Sequence, residues 1–203
     1  MGSCVFLDKI TVDKVKAAYA RKQYPFFDTG EYNVNLFGIR ANESVSNTFN
    51  DAVCLLFKKG GQWVLKKYEA TTDPGSYYRL NPCNANGTAI LNPGYYKGGF
   101  RLGFHQGKYK ALVQNKPLPL WRDNNKDNKL DRKGQVYTEL AGINIHRASP
   151  TGKSIQVDKW SAGCQVIASI VDWNEFISII NTSAQKYGQV FSYALFTEED
   201  FFS

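Results

Sequence analysis

The chain has 203 residues, of which 43% are hydrophobic and 14% aromatic, and its formal net charge is +7 with a pI near 9.1. This length and apolar content suit one folded domain, or one domain with an N-terminal extension. The basic residues are scattered, which disfavours nucleic acid as a partner and leaves an anionic polymer such as a cell wall, or a basic surface with no partner. No apolar stretch approaches the length of a transmembrane helix, so we expect no membrane partner.

The N-terminal part predicts one helix followed by strands. Residues 11–24 have a helical apolar period, with Thr11 as N-cap and Pro25 after the end. Residues 33–39, 51–58 and 62–70 favour strands, and the Gly60–Gly61 turn joins the last two as a hairpin. We assign residues 1–60 to an extension packed on the main domain, and residues 61–203 to that main domain.

The cysteines and the N-terminus bear on localisation. The four cysteines, at positions 4, 54, 83 and 164, form no CxxC pair and have no zinc spacing. The first ten residues lack the apolar core of a secretory signal. We therefore expect synthesis in the cytoplasm without an export signal of its own.

Two segments in the middle of the chain are candidates for binding. Residues 71–94 form a long loop rich in Pro, Gly and Asn, and nearby tyrosines, including Tyr95 and Tyr96, either line a groove or pack as ordinary half-exposed rings. His105 precedes a predicted strand and is either a second cleft histidine that orients substrate or a structural or solvated residue.

The segment from residue 123 to 131 has the oxygen spacing of a calcium loop. Its side-chain oxygens lie at positions 1, 3, 5 and 9 of such a loop, which here are Asp123, Asn125, Asp127 and Asp131. The usual glycine at position 6 is replaced by Asn128, and the usual glutamate at position 12 by Gly134. The loop is therefore either a partial, structural calcium site or a polar turn without an ion.

The most informative stretch lies between residues 142 and 168. His146 ends a short apolar strand, and Cys164 follows Ser161-Ala162-Gly163 at the start of another apolar run. A cysteine after a glycine can have free backbone N–H groups around it, and a neutral imidazole on a neighbouring strand can take its proton. These are the parts of an activated thiol nucleophile, with Gly163 and Cys164 as candidate oxyanion donors. Such chemistry requires no cofactor.

The residues after this pair predict a helix and a closing strand. Residues 169–188 favour a helix capped by Ser169 or Asp172 and ended by Gly188, and residues 189–196 favour a strand. We expect the acidic tail that follows to be frayed.

At these positions the sequence resembles the L,D-transpeptidase catalytic domain. Fourteen residues separate His146 from Ser161-x-Gly163-Cys164, and the family has a strand-end histidine followed by Ser/Thr-His-Gly-Cys. Residues 87–96 are loosely similar to the family's Thr-Pro-x-Gly-x-Phe segment. The resemblance as a whole covers roughly residues 64–197. The arrangement also resembles phage- or prophage-encoded members. The resemblance implies a mainly β, α+β fold: a β-sandwich with one long helix after the nucleophile and an N-terminal helical extension.

Two departures concern substrate recognition. Ala162 replaces the family's histidine before Gly-Cys, and Val166 replaces its arginine two positions after the cysteine. Arg147, beside His146, could supply a replacement charge. The candidate substrate-binding residues are Arg147, His105, Tyr95, Tyr96 and Gln165.

The resemblance implies a cysteine-dependent L,D-transpeptidase or peptidase that acts on peptidoglycan stem peptides through a thioester. Cys164 would be the nucleophile and His146 the base, and a phage particle or another partner would deliver the protein to the cell wall. One alternative is a catalytically inactive wall- or glycan-binding module, or virion component, of the same fold. Another is a cysteine peptidase of unrelated fold.

Overall fold

In a computed structural model, the chain is described at Cys4 and across residues 6–43, 47–127 and 129–203. These residues form a mainly β structure with helices, which confirms the expected mainly β, α+β class. The helices are α1 (Val12–Arg21), α2 (Ser76–Leu80), α3 (Ile170–Tyr187) and α4 (Glu198–Phe202). The strands are β1 (Asn35–Arg40), β2 (Asp51–Lys59), β3 (Gln62–Thr71), β4 (Thr88–Leu91), β5 (Gly94–His105), β6 (Tyr109–Gln114), β7 (Leu118–Asp123), β8 (Tyr137–Glu139), β9 (Ile145–Arg147), β10 (Gln165–Ile167) and β11 (Val190–Thr197).

The main sheet closes on itself as a barrel. Its strand order is β1-β11-β5-β6-β9-β10-β3-β2, and β1 pairs in parallel with β11 and antiparallel with β2. The geometry differs from the two facing sheets that we expected, because these two pairings join the ends of one sheet and leave it no open edge. A second, three-stranded sheet has the order β4-β7-β8.

The N-terminal strands belong to the barrel. The predicted boundary at residue 60 falls at the tight turn between β2 and β3, and β2 pairs with β3 along its whole length. Because β1 and β2 complete the barrel, these two strands of the predicted extension are part of the barrel itself.

The two long helices lie where the sequence predicts them, with the predicted caps. Thr11 accepts a hydrogen bond from the Lys14 N–H, and Ser169 accepts one from the Asp172 N–H. The chain leaves α3 at Gly188, whose φ of +93° is one that glycine adopts at low cost. The described chain contains no helix with both the length and the apolar character to cross a membrane.

The C-terminal tail is ordered, which makes the prediction of fraying wrong. Phe201 of α4 is buried and its ring stacks on Phe37 of β1 with centroids 6.0 Å apart. The Arg21 side chain of α1 donates to the Asp200 carbonyl at 2.6 Å. Apolar burial at one phenylalanine therefore fixes a segment whose charges suggested exposure.

The largest apolar cluster places the long helix behind the barrel strands. It combines inward residues of the barrel with Trp173, Phe176 and Ile180 of α3 and with Leu91 and Leu120 of the small sheet. Both sheets and α3 therefore share one core, and Val166 of β10 packs in a second, smaller buried cluster.

Candidate active site

Strands β9 and β10 bring the predicted nucleophile and base to one side of the barrel. They pair in parallel, with Gln165 opposite Ile145 and Val166 opposite His146. Side chains alternate along a strand, so Ile145 and Gln165 face the core while His146 and Cys164 share the other face. A shared face is one of the conditions that thiol–imidazole chemistry requires.

The Cys164 thiol contacts two backbone groups. Its Sγ lies 3.4 Å from the Asn144 N–H, from which it accepts, and 3.5 Å from the Gly142 carbonyl, to which it donates. The residue keeps partial solvent access. Burial raises the pKa of the thiol to about 11, while the Asn144 N–H acts in the opposite direction. The thiol is therefore protonated at neutral pH.

The His146 imidazole is buried and held in one tautomer. Its Nδ1 lies 2.7 Å from the Arg147 carbonyl and 3.1 Å from the Tyr109 hydroxyl. A carbonyl only accepts, so Nδ1 carries the proton and Nε2 keeps its lone pair. Burial, with a further contribution from His105, lowers the pKa of His146 to about 3. Within the described residues the ring has no hydrogen bond to Sγ, and both partners are neutral.

His105 stacks on the His146 imidazole. The two ring centroids are 3.9 Å apart with 20° between the planes, and the Asn144 side-chain amide lies 3.0 Å from His105 Nδ1. Arg147 places its guanidinium 4.1 Å from the centre of the Tyr109 ring. The structure thus gathers His105 and Arg147, both predicted to bind substrate, around His146.

A buried serine shapes the turn that carries the cysteine. Ser161 Oγ accepts from the Gly163 N–H at 3.1 Å and donates to the Cys164 carbonyl at 2.8 Å. Gly163 has φ of +121°, and a Cβ there would lie 2.5 Å from the Ala89 carbonyl oxygen. Because Ser161 occupies the Gly163 N–H, only the Cys164 N–H of the two expected oxyanion donors has no partner among the described residues.

A cavity of about 260 Å³ opens beside this turn. Ala162 forms one wall, and Arg122 and Glu139 of the small sheet face it. Arg122 pairs with Glu139 at 2.5 Å and donates to the Gly87 carbonyl at 2.9 Å. The cavity therefore combines charged and backbone polar groups, and Cys164 and His146 are not among its lining residues.

Three predicted substrate residues lie away from the cleft. Gln165 is fully buried and its Oε1 accepts from Tyr193 at 3.0 Å, because alternation along β10 turns it inward. Tyr96 is buried in the same core, and its hydroxyl bonds to a backbone carbonyl. Tyr95 points to the opposite side of β5 and packs against Tyr24, with centroids 5.5 Å apart. The prediction that these three residues bind substrate is therefore corrected: their side chains have structural contacts.

Two site residues were missed. Asn144 supplies the N–H that faces the thiol, and its position two residues before His146 could have suggested a shared strand face. Tyr109 holds the histidine from strand β6, far away in sequence, so no local signal marks it.

The predicted calcium loop keeps its oxygens close together. The Asn125 amide donates to Asp127 at 3.2 Å and to Asp131 at 2.8 Å, and Asp123 is buried at the end of β7. Asn128 lies outside the described residues. Among the described residues, no group of three or more His, Cys, Asp or Glu side chains is arranged to hold a metal ion.

Comparison with known proteins gives no further assignment: no protein-family model, no curated protein and no solved structure matches this chain. The fold and the site described above define a mainly β barrel protein with a thiol and an imidazole on neighbouring parallel strands.

Proposed function

We propose that this chain is a cysteine-dependent L,D-transpeptidase or peptidase that acts on peptidoglycan stem peptides through a thioester acyl-enzyme. One observation carries the proposal: the parallel register of β9 and β10 sets Cys164 and His146 on the same face, with Nε2 of the histidine as acceptor. The cavity beside Ala162 offers room for the stem peptide. The resemblance of His146 and Ser161-x-Gly163-Cys164 to the L,D-transpeptidase motif supplies the substrate class.

Acylation needs two proton transfers, one from the thiol to His146 and one from His146 to the leaving amine. Nε2 of His146 takes the thiol proton as Sγ attacks the carbonyl carbon of the stem peptide. The resulting oxyanion accepts from the Cys164 N–H, an interaction worth about 3 kcal/mol in comparable sites. The imidazolium then protonates the leaving amine, the C–N bond breaks and a thioester to Cys164 remains.

The second half reverses these roles. Neutral His146 removes a proton from the incoming nucleophile, which attacks the thioester carbonyl and releases the thiol. Water gives an endopeptidase or carboxypeptidase, and the amine of a second stem peptide gives a transpeptidase. Arg147, beside the imidazole, would attract the carboxylates of the stem peptide. A phage particle or lysis pore would bring the protein to the wall.

A second function is favoured by one observation. The thiol hydrogen bonds are made to Asn144 and Gly142, and the thiol is protonated at neutral pH. A protein that kept the fold and lost the chemistry would bind wall peptides or glycans in the same cavity without turnover.

Trapping the acyl-enzyme separates the two functions. The full chain is incubated with purified muropeptides and its intact mass is measured. We expect an adduct whose mass equals the acyl donor minus its leaving amine, absent in Cys164→Ala. Cys83→Ala is the matched control, because Cys83 is an exposed thiol on the wall of the same cavity. Full turnover by Cys164→Ala would contradict the enzyme, and saturable binding without an adduct would support the binding module.

A further inference from the structure

His105 lies in the candidate site but has no role in the reaction described above. It ends strand β5, and its ring stacks on the His146 imidazole with the centroids 3.9 Å apart. The His105 side chain is half-buried, whereas His146 is 3% exposed. The chain has only these two histidines, so any histidine signal of the protein comes from this site.

Asn144 determines which ring nitrogen of His105 carries the proton. The Asn144 side-chain oxygen accepts from the backbone N–H of Gln114 at 3.0 Å, and a backbone N–H can only donate. The amide nitrogen of Asn144 therefore faces His105 Nδ1, 3.0 Å away, and donates to it. Because a ring nitrogen that accepts has no proton, neutral His105 carries its proton on Nε2.

The surroundings keep His105 neutral at pH 7. Burial lowers the pKa of His105, and the positive charges of Lys108 and Arg147 lower it further. Among the described residues, Nε2 of His105 makes no hydrogen bond. His105 is therefore a neutral ring with an N–H at Nε2 that is available to donate.

The two stacked rings are in opposite tautomers. His146 donates from Nδ1 to the Arg147 carbonyl, which leaves its Nε2 as an acceptor. His105 accepts at Nδ1, which leaves its Nε2–H as a donor. Acyl transfer needs both kinds of group, an acceptor for the thiol proton and a donor for the carbonyl oxygen that becomes negative.

The turn that carries Cys164 lacks one of its two expected backbone donors. Ser161 Oγ occupies the Gly163 N–H at 3.1 Å, so only the Cys164 N–H remains. Asn144 connects this turn to His105: its backbone N–H lies 3.4 Å from Sγ, and its side chain contacts the His105 ring. A single residue therefore separates the His105 ring from the thiol.

We propose that His105 is a catalytic residue whose Nε2–H donates a hydrogen bond to the carbonyl oxygen that Cys164 attacks, an inference that rests on the acyl transfer proposed above. As the C–S bond forms, the carbonyl π electrons move to this oxygen and the hydrogen bond strengthens. His105 keeps its proton throughout, because the thiol proton passes to Nε2 of His146 and from there to the leaving amine. One histidine thus transfers the proton, and the other stabilises the oxyanion.

Nuclear magnetic resonance tests the tautomers without any substrate. In a long-range ¹H–¹⁵N correlation spectrum of the labelled full chain at pH 7, each histidine gives a pattern that distinguishes the Nδ1–H ring, the Nε2–H ring and the charged ring. We expect one neutral ring of each tautomer, and His105→Gln should remove the Nε2–H pattern. Two rings in the same tautomer, or a charged His105 at pH 7, overturn the proposal.

Single-turnover acylation tests the donor itself. The full chain is mixed with excess muropeptide, and the Cys164 adduct is followed by intact mass in quenched samples. His105→Phe keeps a stacked ring but lacks the donor, so it should slow acylation about 10²- to 10³-fold without weakening muropeptide binding. His105→Gln is the matched variant: its amide N–H can donate, so it should acylate about tenfold faster than His105→Phe.

Alkylation by iodoacetamide separates a catalytic from a structural role. This displacement at a saturated carbon forms no oxyanion, so His105→Phe should alkylate Cys164 within about twofold of the unaltered rate at pH 7. Equal slowing of alkylation and acylation, or an unchanged acylation rate in His105→Phe, overturns the inference and leaves the acyl transfer standing. No adduct on the unaltered chain instead overturns the proposed function, and the inference with it.

Discussion

At the scale of single residues, the proposed acyl transfer depends on how easily His146 accepts a proton from Cys164. Its pKa is lowered to about 3, first by burial and then by His105, while the pKa of the Cys164 thiol is raised to about 11. Transfer of the proton from sulfur to nitrogen is therefore uphill in the free protein. Burial and the stacked His105 ring keep the imidazole neutral, and the Arg147 carbonyl orients it although it raises the pKa. In the proposed reaction His146 would therefore act as a base during attack and not as one half of a resting ion pair.

The difference between the pKa values of His146 and Cys164 predicts the pH dependence of thiol alkylation. The rate of iodoacetamide reaction at Cys164 should rise about tenfold per pH unit from pH 6 to 9, because the thiolate fraction grows in proportion below the thiol pKa. No inflection is expected near pH 6.5, since His146 is already neutral above pH 5. Alkylation is followed by peptide mass spectrometry, with Cys83 as the internal reference.

A plateau in that rate above pH 6 would instead indicate a preformed thiolate–imidazolium pair. His146→Ala separates the cases, because removal of an ion-pair partner slows alkylation sharply at pH 6 to 7, whereas removal of a neutral base leaves it nearly unchanged. A large slowing in that variant would contradict the neutral-pair description.

At the scale of elements, the turn from Ser161 to Cys164 positions the thiol that we propose as nucleophile. Ser161 holds the turn closed through both its hydrogen bonds, and Gly163 lies against β4 at the Ala89 carbonyl. The thiol position thus depends on contact between the barrel and the small sheet. A turn anchored at two points resists the motion that would carry Sγ away from the base.

Gly163→Ala should be strongly destabilising and inactive. A Cβ would lie 2.5 Å from the Ala89 carbonyl oxygen, and φ of +121° disfavours any side chain. We expect a loss of about 3 kcal/mol, the sum of backbone strain and a steric clash, measured by urea denaturation. Gly152→Ala is the matched control, since its φ is +69° but no atom lies within 4 Å of the new Cβ.

The control Gly152→Ala should lose only about 1 kcal/mol of unfolding free energy, which is the cost of the left-handed backbone alone. Equal losses in the two variants would show that the contact with Ala89 does not constrain the turn.

At the scale of the whole molecule, a buried ion network joins the barrel to the small sheet. Arg40 of β1 is 1% exposed and contacts Asp73 at 3.2 Å, the Thr72 carbonyl at 2.6 Å and the Leu91 carbonyl at 2.7 Å. Asp73 also pairs with Arg132 at 2.5 Å. One guanidinium therefore ties β1, the end of β3 and β4 together on the side away from solvent.

Arg40→Met should destabilise the fold by about 3–5 kcal/mol, because it leaves the Asp73 carboxylate and the two carbonyls buried with fewer partners. Lys22→Met is the matched control: Lys22 pairs with Asp200 at 2.6 Å, but both side chains are about one-third exposed. Exposed pairs contribute about 0–1 kcal/mol, so the control should be nearly as stable as the unaltered chain in urea. Similar losses in both would contradict a structural role for the network.

Part of the structure was predictable because its signals are local. The caps at Thr11 and Ser169, the apolar period of each helix and the Gly60–Gly61 turn act within a few residues, and the corresponding elements formed as predicted. The candidate pair was also found locally, because His146 and Cys164 each end or precede a short apolar strand. Their spacing in sequence suggested a site before any geometry was known.

The sequence by itself therefore determined the mainly β class, the two long helices and the candidate pair. Tertiary structure alone decided that β1 closes the barrel against β11, that Tyr96 and Gln165 face the core, and that Tyr109 and His105 contact His146. The physical reason is range: capping and periodicity act between near neighbours, whereas strand partners and the face that a side chain adopts depend on contacts between segments far apart along the chain.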